Sequence, residues 1–210
     1  MFNLTNIRIA NAYNKSFKKH GALPEASFWY SGLRQQVRFD IISKEIDKIS
    51  KNDPISICDL GCGYGAYSEY ISKKTTPRVA RYIGIDLSKQ VIRHCNENIS
   101  HTWAEFKQGS EPTQMVDFTI MSGTFNYAVT KSVDAWENYI FRCLEKCWLK
   151  TQQAIIFNLQ ITHQKKTVVE NKIYFAEPLR TKKLCESKFG ETKYVSNTLL
   201  PKDGTFVIMK

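Results

Sequence analysis

A chain of 210 residues with 42% hydrophobic and 24% charged residues has the make-up of one globular domain with an appendage, which excludes disorder over most of its length. No apolar run reaches the roughly eighteen residues of a membrane span, and Met1-Phe2-Asn3-Leu4-Thr5-Asn6 has no basic segment leading into an apolar one, so a cytoplasmic protein without an export signal is expected. The net charge of +10 is uneven: residues 1–50 carry 8 basic and 4 acidic side chains, residues 51–149 carry 11 of each, and residues 150–210 carry 11 and 5, which leaves scattered solvated lysines or an anionic partner as the two readings.

The first fifty residues read as helical. Asn11 to His20 has Tyr13 and Phe17 one turn apart, and Gly21 and Pro24 end it. A second helix spans Gly32 to Ser50 on the spacing of Leu33, Val37, Ile41, Ile42, Ile46 and Ile49. Asn52-Asp53-Pro54 breaks it, giving a helical cap over residues 1–51 before a domain over residues 52–210. From Ile55 onward short apolar runs alternate with amphipathic segments, the rhythm of a parallel α/β sheet. Strands are expected at Ile55–Leu60, Tyr82–Asp86, Thr102–Lys107, Asp117–Met121 and Ala154–Leu159. Helices fall at Ala66–Lys74, at Lys89–Asn98 behind a Ser88 cap, and at Val133–Leu149 behind a Ser132 cap. Pro178 opens a helix reaching Lys188. Tyr194–Leu199 and Phe206–Met209 flank the turn Pro201-Lys202-Asp203-Gly204 and form an antiparallel hairpin. The whole is an α/β fold with a mostly parallel, seven-stranded sheet.

The six cysteines form no CxxC pair and have no histidine pair at metal spacing. Reduced structural thiols are expected, and no metal site.

Asp59-Leu60-Gly61-Cys62-Gly63-Tyr64-Gly65 runs from a buried strand into a glycine loop and then a helix. Glycines permit the sharp turn and let a ligand approach the main chain. Gly61-x-Gly63-x-x-Ala66 also fits a nicotinamide site, so the acids discriminate. Asp59 would repel a pyrophosphate but favours the ammonium and sulfonium of S-adenosylmethionine. Asp86 ends the second strand, where a carboxylate accepts both ribose hydroxyls. A terminal hairpin also argues against an all-parallel dinucleotide fold.

On Asp-Leu-Gly-Cys-Gly-x-Gly followed by Gly84-Ile85-Asp86-Leu87-Ser88, residues 52–210 resemble the class I S-adenosylmethionine-dependent methyltransferases. That resemblance implies S-adenosylmethionine as cofactor, with Gly61 and Gly63 on its methionine moiety and Asp86 and Leu87 at the ribose and adenine edge. Cys62 and Ser122 are placed in the same site. Ser110 takes the place of the Asp or Asn that the family often has near adenine.

Ser122-Gly123-Thr124-Phe125-Asn126-Tyr127 follows the fourth strand, where the acceptor is expected. It lacks the paired prolines of nucleic-acid amino-methylating enzymes. Together with His20-Gly21, Trp29 and Gln35-Gln36-Val37-Arg38-Phe39, it resembles a bacterial subgroup acting on small molecules or surface glycans, which would place the protein in polysaccharide biosynthesis. Arg38 is a candidate partner for the cofactor carboxylate. Trp29, Tyr13, Phe125 and Asn126 are candidates for the acceptor pocket. Methyl transfer from a sulfonium needs alignment and exclusion of water more than side-chain chemistry. A hydroxyl acceptor benefits from a base, for which His20 and His163 are candidates, and Tyr127 is a candidate to orient the acceptor. Methylation of an oxygen or nitrogen of a small molecule or sugar is therefore expected. An RNA methyltransferase, a nicotinamide oxidoreductase and a non-catalytic cofactor-binding subunit are the alternatives.

Overall fold

A computed structural model describes residues 3–23, 32–51, 53–162 and 167–210. Helix α1 spans Leu4–His20, about two turns earlier than periodicity indicates, because the Asn3 side chain caps it by accepting the Asn6 amide at 2.9 Å. Helix α2 spans Gly32–Ile49. Strand β1 (Ile55–Leu60), α3 (Ala66–Ile71), β2 (Val79–Asp86), α4 (Lys89–Asn98), β3 (Ala104–Gln108), β4 (Val116–Met121), α5 (Val133–Trp148) and β5 (Thr151–Ile161) follow, strands alternating with helices except that β4 comes directly after β3. Ser88 and Ser132 cap α4 and α5 as expected, accepting the amides of Val91 and Ala135. The chain continues through β6 (Val168–Glu170), β7 (Ile173–Ala176), α6 (Pro178–Lys188), β8 (Thr192–Ser196) and β9 (Asp203–Met209).

Strands β3-β2-β1-β4-β5 pair in parallel in that order. β9 runs antiparallel against β5, and β8 antiparallel against β9, so the expected hairpin completes a seven-stranded core. Among the described residues the sheet has nine strands, two more than expected. The additions are β6 and β7, an antiparallel pair whose second member joins the end of β5 through Gln160 and Ile161. Their turn is Asn171-Lys172, with φ of 48° and 64°. A two-residue hairpin turn with both residues left-handed is usually announced by Asn-Gly, and a lysine in the second place conceals it.

Alternation along β1 sends Cys58 and Ile57 to opposite faces. Cys58, Ile83 and Met121 pack with Trp136, Ile140 and Leu144 of α5 on one side. Ile57, Tyr82, Phe118 and Ile120 pack with Phe39, Ile42 and Ile46 of α2 and Tyr67 of α3 on the other. Helix α2 thus belongs to a covering layer of the sheet. Where it passes the start of β9, Arg38 forms a buried ion pair with Asp203.

Candidate functional site

The carboxyl ends of β1, β2 and β4 open into a cleft of about 1080 Å³, open solvent included. This is the crevice at a topological switch point where α/β sheets bind ligands, since β1 connects towards β2 while its other neighbour is β4. Helix α1 covers it with Ile9, Ala10, Tyr13 and Phe17. It is fastened there by the hydrogen bond of Ser88 Oγ to Asn14 and by edge contacts of Tyr13 with Tyr127 and of Phe17 with His94.

The glycine loop forms the floor. Gly61, Gly63 and Gly65 have φ of 82°, 55° and 81°, the left-handed region that side chains disfavour. A Cβ on Gly61 would stand 2.6 Å from Thr124 Oγ1, so the loop after β4 can lie directly on the glycine. The loop amides are already engaged. Those of Gly61 and Cys62 donate to Ile85 O at 2.7 and 3.1 Å, and that of Gly63 donates to the Asp86 carboxylate at 3.1 Å. The glycines therefore supply close approach and a fixed shape, and not the free amides anticipated for them.

Two carboxylates stand in this cleft. Asp59 is 2% exposed; its Oδ2 accepts from Tyr82 Oη at 2.6 Å, and its Oδ1 has no hydrogen-bond partner among the described residues. Burial lifts its pKa to about 7, against the opposing hydrogen bond from Tyr82, with Asp86 adding to the rise. Asp86 accepts from the amides of Gly63 and Ser88, and burial raises its pKa as well. Ser122 Oγ, also buried, has no partner among the described residues. Unpaired buried acceptors carry a desolvation cost that a cationic, hydroxyl-bearing ligand relieves. This donor and acceptor set fits S-adenosylmethionine: Asp59 Oδ1 suits an ammonium, and the remaining lone pairs of Asp86 suit two ribose hydroxyls.

Tyr13, Asp59, Gly61, Cys62, Gly63, Asp86, Leu87, Ser110, Ser122 and Phe125 all line the cleft. Arg38, expected at the cofactor carboxylate, lies outside the lining and is held by Asp203; burial lowers its pKa to about 10. Gln35, one turn earlier on α2, lines the cleft instead and accepts from Tyr64 Oη at 3.0 Å, which leaves its NH2 to donate. No local signal in the sequence sets Gln35 apart from its neighbours Gln36 and Arg38. Asn126 turns from the cleft, its side-chain oxygen accepting from the Gln160 amide at 2.8 Å. Tyr127 lies outside the lining and meets it at the Tyr13 ring, and His20 sits in the last turn of α1 beyond the lining. Trp29 and His163 lie outside the described residues. Tyr139 and Cys143, one turn apart on α5, also line the cleft, and neither stands out in the sequence as a site residue.

Residues 57–147 match the methyltransferase domain family. A Mycobacterium tuberculosis protein named as a methyltransferase is 27% identical over 146 residues, which is 69% of this chain and 86% of the relative. A Mycoplasmoides gallisepticum ribosomal RNA small subunit methyltransferase A is 30% identical over 89 residues, 42% of this chain and 31% of that protein. The fold is that of magnesium protoporphyrin IX methyltransferase from Synechocystis solved with bound S-adenosylmethionine, at a TM-score of 0.66 and 10% identity over 100% of both chains. A Leishmania major S-adenosylmethionine-dependent methyltransferase superposes with a TM-score of 0.68 and 13% identity, covering 94% of this chain and 82% of its own. Residues 57–147 thus carry a methyltransferase domain, set in the fold of S-adenosylmethionine-dependent methyltransferases.

Proposed function

We propose that this methyltransferase moves the methyl group of S-adenosylmethionine to an oxygen or nitrogen of a small molecule, a sugar of a surface polysaccharide among the candidates. The carrying observation is the pair of carboxylates that line the cleft beside the glycine loop, buried Asp59 and half-buried Asp86, the former with one oxygen unpartnered among the described residues. In this reading Asp59 holds the ammonium, Gln35 donates to the carboxylate, and Asp86 holds the ribose. Leu87 and Ser110 bound the adenine. Cys62, Gly61 and Gly63 shape the floor. Ser122 and Phe125 face the methyl group, and Tyr13 shields it from water.

The cofactor supplies an activated methyl group with a neutral leaving group, and the chain supplies alignment. Burial, the charge of Asp86 and the neighbouring Tyr127 raise the Tyr13 pKa, so its phenol stays protonated and serves as a hydrogen-bonding group and not as a base. Asp86→Ala is expected to weaken S-adenosylhomocysteine binding by about 10- to 100-fold, the worth of charge-assisted hydrogen bonds, with little change in melting temperature. Calorimetric titration checks this, and unchanged affinity removes Asp86 from the site.

The net charge of +10 favours a second reading, in which the acceptor is RNA, as for the Mycoplasmoides gallisepticum relative by its name. RNA binding that weakens steeply with salt supports that reading, and absent or salt-insensitive binding removes it.

A further inference from the structure

The β6–β7 hairpin is fastened to the segment that leaves the cleft after β4. The Ala128 amide donates to Lys172 O at 2.8 Å, the Tyr174 amide donates to Asn126 O at 2.9 Å, and Tyr127 bridges to Ile173. These bonds fix the turn residue Lys172, held at φ 64°, with its Nζ 6.0 Å from the centre of the Tyr127 ring. The Tyr127 ring in turn meets the Tyr13 ring at 6.2 Å, and Tyr13 lines the cleft. Lys172, Tyr127 and Tyr13 therefore form a continuous path from solvent to the cofactor cleft, with the ammonium at its outer end. Lys172 is exposed and forms no ion pair among the described residues.

The charges along this path are graded. Asp59 and Asp86 stand inside, so an anionic group on the acceptor is repelled from the interior and attracted to the rim. Helix α1, which supplies Tyr13, contains no acidic residue and carries Arg8, Lys15, Lys18 and Lys19 exposed, so approach along that helix is also favourable to an anion.

We propose that the acceptor is a small molecule bearing a carboxylate or phosphate group, and that Lys172 selects it by holding that group at the rim while the nucleophile reaches past Tyr13. The proposal rests on the reading of the cleft as the S-adenosylmethionine site.

The test is titration of the S-adenosylhomocysteine-saturated protein with benzoate, phenyl phosphate and benzamide, followed by NMR. The first two carry the candidate anions, and the third is a neutral isostere. Either anion or both should bind at least about fivefold more tightly than benzamide, the upper range for an exposed charge pair. Lys172→Gln should abolish that preference and Lys172→Arg should keep it. Equal binding of all three probes, no binding of any, or a preference that survives Lys172→Gln overturns the proposal. Failure of S-adenosylhomocysteine itself to bind overturns the underlying reading. Intact S-adenosylhomocysteine binding without charge preference overturns the proposal and leaves the underlying reading standing.

Discussion

Asp59 is held where its charge is unfavourable until something positive arrives. Its folded pKa of about 7 lies above the ordinary carboxylate value, so protonation favours the fold. The stability associated with this group is full below about pH 4 and is lost as pH rises through 7. Binding has the opposite sign, because only the ionised form attracts an ammonium. Affinity for S-adenosylhomocysteine is therefore expected to rise about tenfold from pH 6 to pH 8, as the ionised fraction grows through a pKa near 7. Asp59→Asn should flatten that profile while melting at a higher temperature at pH 8 and not at pH 4. Calorimetry and thermal melts across this range check both, and an unchanged slope in the variant assigns the titration to another group. Asp86, whose pKa is also raised, is the alternative source.

Among the elements, the hairpin and α6 are joined to α5 by one buried acid. Glu137 accepts from Tyr174 Oη at 2.9 Å and receives both terminal nitrogens of Arg180. Arg180 is 44% exposed, which discounts its share. Glu137→Ala is expected to destabilise the protein by about 1–3 kcal/mol and to leave S-adenosylhomocysteine affinity unchanged, as chemical denaturation and calorimetry would show. The elements of the alternating core were legible because each carries its own signal: Ser88 and Ser132 as caps, Pro178 at a first turn, apolar runs for strands buried on both faces. The β6–β7 pair was not, because Lys172 occupies the place where a glycine would declare the turn. At the site, Asp59, the glycines and Asp86 were legible because strand, loop and acid are contiguous or follow one strand later. Arg38 misled, because its partner Asp203 lies far along the chain and no local pattern joins them. Gln35, Tyr139 and Cys143 reach the cleft only through the packing of α2 and α5.

For the molecule as a whole, β9 is an interior strand, paired on both edges by β5 and β8 and buried along nearly all of its length. Its first residue, Asp203, also accepts from Asn158 and Gln160 beside the cleft, and Asn158 accepts the Gly123 amide of the segment after β4. Removing Asp203–Met209 is thus expected to abolish cooperative unfolding and not merely to loosen one edge. A truncated chain that still melts in a single transition by circular dichroism would show that β1–β5 suffice. The commitment of the loop amides has a different consequence. Gly61, Cys62 and Gly63 donate their protons to the protein itself, so deuterium should enter them slowly with the cleft empty and no more slowly with it filled. A deuterium-exchange footprint of cofactor binding would then be silent on the glycine loop and register first along α1, whose amides are sheltered only as well as its hold on the cleft allows.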